Sequence, residues 1–319
     1  MINFRFHLVS LVAVFLALTI GIVVGATIVN QQIIDGLKHQ IDRVQNDTDA
    51  QRTENHQLAQ TTKQQNQYIE GIAPYVVEGR LTGVPVVVVA EQGVDRDTVR
   101  DLVGLLQSAG ASSPAIVWLQ SKWLLANTAD QTQLASIVGD ASNSPQLRVD
   151  GLDALADRLG RNASGAGGTT ATARSATDVL DALDTAGFVK VEPVGASGTS
   201  DLSTFPTPGP RIVVLGGDGS DLSTNSVVEP LTSAFATLRT PTIAGELVQS
   251  SDSSTRGVAL AGIIKDGRFD HLVSTVDDVD LVQGQLAVVL AAEASGQAEF
   301  GHYGYGKGAD RALPTWTGS

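Results

Sequence analysis

The sequence contains no cysteine, and its single methionine is Met1. A disulfide framework, a thiolate metal site and a cysteine nucleophile are therefore excluded, and soft sulfur ligands are missing. Basic residues are scarce: 21 Lys and Arg stand against 34 Asp and Glu, a formal net charge of −13. A surface for nucleic acid needs concentrated Lys and Arg, so that class of partner is disfavoured, as is docking on anionic lipid through a basic patch. No G-x-S-x-G elbow and no H-E-x-x-H occurs, which disfavours an α/β-hydrolase and a zinc protease.

What is present is an architecture. A length of 319 residues suggests about two structural units. Residues 8–29 form an apolar run without a charge, long enough to cross a bilayer, which needs about 20 such residues. A cleaved signal peptide is the rival reading, because Val24-Gly25-Ala26 resembles a small-residue cleavage site. The apolar core is longer than such signals carry, and the basic residues ahead of it are few (Arg5, His7). An uncleaved signal-anchor is expected. Residues 1–7 are then cytoplasmic, and everything after the span lies on the periplasmic side of the envelope as a single-pass membrane protein. Gly21 and Gly25 form a G-x-x-x-G, which lets two membrane helices approach closely but is common by chance in apolar runs.

Residues 30–73 read as a coiled-coil stalk. No Gly or Pro interrupts residues 37–70. With Ile34 at heptad position a, Leu37 is d, Ile41 a, Val44 d, Asn55 a, Leu58 d, Ile69 a and Ile72 d. The ends of this seam are apolar and its middle is polar, at Thr48, Gln51, Asn55, Thr62 and Gln65. A lone helix so polar gains little from burial, so a partner helix is expected, and Asn55 at a favours a parallel homodimer in register. A solvated single-helix spacer is the plainer alternative. Gly71, Pro74 and Gly79 are expected to end the helix.

Residues 74–300 read as an α/β head. Short β-branched runs at 84–90, 115–119, 188–194, 211–215, 242–245 and 272–276 alternate with helical patterns at 95–109, 130–138, 150–159, 175–186, 227–238 and 279–294. That alternation predicts a Rossmann-like parallel sheet covered on both faces. Residues 161–173 and 195–210 are expected to be loops. Residues 301–319 read as a Gly- and aromatic-rich C-terminal arm, with Tyr303 and Tyr305 packing on the head or a partner.

Within that arm, Gly301-x-x-x-x-Gly306-Lys307 imitates a P-loop. Gly308 stands where the magnesium-binding Ser or Thr belongs, and the stretch follows a helix rather than a strand, so no nucleotide site is expected. Leu215-Gly216-Gly217-Asp218-Gly219 follows a strand but lacks the dinucleotide spacing and reads as a tight turn. Acidic residues gather where strands end, at Glu91 and Asp95, Asp218 and Asp221, and Asp277 and Asp278. These loops share one sheet edge and offer oxygens to a hard cation, although Asp before a helix more often caps it. His271 and His302 are the imidazoles that such a metal site would use alongside Asp277 and Asp278. No catalytic residue and no cofactor motif emerge, and the chain is expected not to be an enzyme.

The opening His7-x-Val9-Ser10-Leu11-x-Ala13-Val14-Phe15-Leu16-Ala17-Leu18, followed by Gly21-Ile22-Val23-Val24-Gly25, resembles the actinobacterial copper-transport family typified by mycobacterial copper transport protein B (the copper transporter MctB family). Ser274-Thr275-Val276-Asp277 and Gly301-His302-Tyr303-Gly304 support the likeness. The resemblance covers nearly the whole chain and implies an envelope protein of copper export or homeostasis. Copper as a ligand is implied by the resemblance alone. Related proteins also look like parts of cell-separation complexes, so a non-catalytic coiled-coil scaffold that recruits a cell-wall remodelling partner is the competing reading.

Overall fold

The computed structural model describes residues 4–112, 115–139, 144–160, 178–194, 209–249 and 255–315; side chains at 27–34, 144 and 224 lie outside that description. The loop expected at 161–173 and most of that expected at 195–210 also lie outside it. The chain forms two compact units, Met1–Gln67 and Tyr68–Ser319.

The described residues of the first unit, 4–67, are helical. Helix α1 (Phe4–Val77) starts in it, and Phe4–Ala26 forms a 23-residue stretch of mean hydropathy 2.7, long and apolar enough to cross a membrane. Thr19 returns its hydroxyl to the Phe15 carbonyl at 2.7 Å, so this polar group within the apolar stretch is satisfied locally. Of the seam residues, Leu37, Ile41, Val44 and Leu58 are more than half exposed, Asn55 is exposed, and the Ile34 side chain is outside the description.

In the second unit α1 does not stop where breakers stand. It continues through Gly71 and Pro74 to Val77. Pro74 lacks the N–H that would reach back one turn, but Ala73 and Val77 on either side are buried in the head core, and that burial offsets the lost bond. Ile69, read as facing a partner helix, packs on the same core instead, and Ile72 is half-buried. Gly79, at φ 76°, then turns the chain.

The head follows the expected alternation closely. Its elements are β1 (Val86–Glu91), α2 (Arg96–Ser108), β2 (Ala115–Leu119), α3 (Thr128–Val138), α4 (Ser144–Gly160), α5 (Val179–Ala186), β3 (Val189–Pro193), β4 (Arg211–Gly217), α6 (Val228–Thr237), β5 (Thr242–Leu247), α7 (Ala261–Lys265), β6 (Val273–Val276), α8 (Val282–Ser295) and β7 (His302–Tyr303). The seven strands lie in the order β3-β2-β1-β4-β5-β6-β7. Val86, Val88 and Ala90 point to the layer of α2, α8 and the end of α1. Val87 and Val89 point to the layer of α3–α6. Both faces are covered, which explains why residues 86–90 of β1 are continuously apolar.

The sheet is mixed, not wholly parallel. Strand β3 runs antiparallel to β2. Only Val189 of β3 is fully buried, and the terminal Pro193 suits an edge strand, where one row of backbone groups meets solvent. Glu192 fastens it, accepting from Trp118 Nε1 at 2.9 Å and Arg100 Nε at 3.0 Å. The opposite edge is β7, formed by residues read as arm.

Candidate functional site

Strands β1, β4, β5 and β6 are parallel, so their C-terminal ends share one edge. Ala90, Leu215, Gly245 and Val276 are aligned across it. The residues that follow them, Glu91, Gly216, Glu246 and Asp277, therefore make the next row. Three of these four are carboxylates, and all three are buried, with exposures of 0%, 4% and 2%. Asp278, one step on, is 1% exposed.

Glu91 lies over Gly216; a Cβ there would come within 2.8 Å of Glu91 Oε2 and of Val228. Its Oε2 accepts a long bond from the Gly217 N–H at 3.4 Å, while Oε1 has no partner among the described residues. Burial pushes its pKa up to about 7, against the weaker pull of Ser220 and Gly217. Glu246 accepts from the N–H groups of Gly257 at 2.6 Å and Ala259 at 3.1 Å. It also rises to about 7 through burial, with the Asp277 and Asp218 charges adding to the push.

Asp277 takes the N–H groups of Tyr305 at 3.0 Å and Gly306 at 2.9 Å. Burial raises its pKa despite these bonds and Arg256. Asp278 turns toward the start of α8 beside Gly284, with no partner for either oxygen among the described residues. Burial first, then Asp277, raise it to about 7. Asp280 forms a bidentate pair with Arg256, both bonds at 2.7 Å.

The glycine-rich loops serve backbone contacts. A Cβ on Gly93 would lie 2.1 Å from the Gly219 carbonyl oxygen. The loops after β1 and β4 thus touch directly at the place where the strand order reverses, which in α/β sheets is where a ligand crevice opens. The Gly301–Lys307 stretch spends two N–H groups on Asp277, as a phosphate loop would on phosphate oxygens. Tyr303 is buried in the head core, and Tyr305 is 65% exposed.

The model match covers residues 1–314 and is to the family described as "Copper transport outer membrane protein, MctB". The chain belongs to the MctB family. Similar proteins include copper transporter MctB of Mycobacterium bovis (strain AF2122/97) and of Mycobacterium tuberculosis (strains CDC 1551 and H37Rv). Each is 29% identical over 325 residues, spanning 97% of this chain and 98% of the relative. Among the described residues of this MctB-family head, no group of three or more His, Asp or Glu side chains is arranged to hold a metal ion.

The expected metal candidates are divided. Asp277 and Asp278 follow β6, and His302 lies on β7 with Nδ1 2.9 Å from Thr275 Oγ1. His271 is exposed at φ 66° before the other end of β6. That strand of four residues is roughly 13 Å long at 3.3 Å per residue, so His271 and the two aspartates do not share a site. The capping reading holds for Asp95, which accepts from Asp97 N and Thr98 Oγ1 at the start of α2. Glu246 and Asp280 escaped the sequence reading. The available signal was a lone Glu near the end of the otherwise uncharged run Thr-Ile-Ala-Gly-Glu-Leu, much as Glu91 closes β1.

Proposed function

We propose that this chain is a membrane-anchored envelope protein of copper export or homeostasis. The observation that carries this reading is the match to the MctB family over residues 1–314, anchor included. In this reading α1 begins as a single-pass anchor with its first residues in the cytoplasm, continues as a coiled-coil stalk, and carries a Rossmann-like, non-catalytic head on the far side of the membrane. Two copies pair through the stalk. Copper is cargo of the system rather than a resident cofactor. With no cysteine and with methionine only at position 1, this chain offers copper(I) no cluster of soft sulfur ligands.

Deletion of the gene in its host tests the role. Copper hypersensitivity, reversed by the full-length chain, is expected. Chained, unseparated cells with ordinary copper tolerance would overturn it in favour of a cell-separation scaffold. N-terminal sequencing of the membrane-bound protein tests the anchor; a mature start at Thr27 would show that the span is removed.

A further inference from the structure

On α1, one helix face carries Leu37, Ile41, Val44 and Thr48, with Arg52 continuing the same groove. These apolar side chains are 51%, 58% and 65% exposed at Leu37, Ile41 and Val44. Leu37 and Val44 occupy d, and Ile41 and Thr48 occupy a, so Asp47 falls at g and Arg52 at e of the next heptad. Both are exposed. In a parallel, in-register pair of helices, the g residue of one chain sits beside the e residue of the following heptad on the other. Asp47 and Arg52 are separated by the required five positions and carry opposite charges. An antiparallel pair sets g against g and e against e, which would place like charges together.

Arg52 is available for such a contact. Its ion pair within the chain is a 3.6 Å approach to Asp49 with both side chains about 70% exposed or more, a geometry of small worth. The neighbouring g and e positions, Gln40 and Gln45, are uncharged and match each other in the same register. The next pair, Glu54 and Ala59, adds no opposing charge.

We infer that the exposed apolar face of α1 binds a second copy of this chain in parallel, with two symmetry-related ion pairs, Asp47 to the partner's Arg52 and Arg52 to the partner's Asp47, fixing the register. This rests on the dimer reading above and adds what selects the partner and its direction. Packing along a polar seam specifies register weakly, so Asn55 within the seam and the Asp47–Arg52 pairs beside it share that task.

The test uses the full-length chain in lipid vesicles. Because the sequence has no cysteine, Asn55→Cys gives a single thiol at an a position, read with a short bis-thiol cross-linker. In this background Asp47→Arg alone and Arg52→Asp alone are each expected to lower cross-linked homodimer about fivefold at low salt, and less at high salt. Mixing the two variants should produce heterodimer well above the random share, because both cross-chain pairs become attractive again. That recovery also shows that each variant is folded. Combining both changes in one chain should restore the homodimer. If Asn55→Cys cross-links but the single changes have no effect and the mixture pairs at random, the ion-pair register is wrong while the dimer stands. If no cross-link forms in any background, the dimer reading fails and this inference with it.

Discussion

Near the C-terminal end of β5, Glu246 accepts the backbone N–H of Gly257 at 2.6 Å, and this pairing is buried. The second oxygen of Glu246 holds Ala259. The start of the segment that leads into α7 is thus hung on one carboxylate, itself placed by the sheet. The head repeats the device nearby, where Asp277 holds Tyr305 and Gly306 and Asp280 holds Arg256. The acidic edge fastens loops onto the sheet.

Glu246→Ala should therefore leave two backbone donors without acceptors. Each orphaned donor costs about 1–3 kcal/mol, so a loss of roughly 2–6 kcal/mol is expected in denaturant unfolding of the head. An unchanged midpoint would show that the two N–H groups find other acceptors.

Stability should fall as pH rises from the acid range to about 7. Glu91, Glu246 and Asp278 have pKa values near 7 in the folded head, against ordinary values of 4.5, 4.5 and 3.8. Between these limits the folded protein holds protons that the unfolded chain has released, so unfolding becomes easier with increasing pH. The loss begins near pH 4 to 5 and levels off above 7. At about 1.4 kcal/mol per unit, each group contributes on the order of 3–5 kcal/mol. Unfolding midpoints between pH 5 and 8 measure the slope, and Glu91→Gln should flatten it. A slope of opposite sign would contradict the burial argument.

Asp277→Asn keeps the shape but replaces one acceptor oxygen with a donor that faces an N–H. Amide hydrogen exchange at Tyr305 and Gly306 should quicken by about tenfold, the equivalent of one hydrogen bond of about 1.4 kcal/mol. Exchange confined to its original rate would mean that β7 alone holds the loop.

Two glycines should respond in opposite ways. Gly93 has φ 104°, and a Cβ there would lie 2.1 Å from the Gly219 carbonyl oxygen. Gly93→Ala should cost roughly 3 kcal/mol or more, since both loops must separate. Gly104 lies within α2 with nothing within 4 Å of an added Cβ. Gly104→Ala should stabilise by about 0.5–1 kcal/mol, measured by thermal unfolding.

The amino-acid sequence by itself determined the features that depend on near neighbours. The uncharged run at 8–29, the breaker-free stretch at 37–70 and the β-branched strands at 115–119 and 211–215 are each legible because period and composition act locally. Local signals also failed in identifiable places. Gly71 and Pro74 read as a helix end, yet burial of Ala73 and Val77 carries α1 past them. His302 and Tyr303 read as arm, yet β6 supplies the backbone partners that make them a strand. Only the tertiary structure decided the antiparallel course of β3 and the strand order, because backbone pairing joins residues far apart in the chain. It also decided the acidic row. Glu91, Glu246 and Asp277 stand in line because sheet register, which no local pattern encodes, brings three strand ends together, and burial there, rather than residue type, moves their pKa values upward.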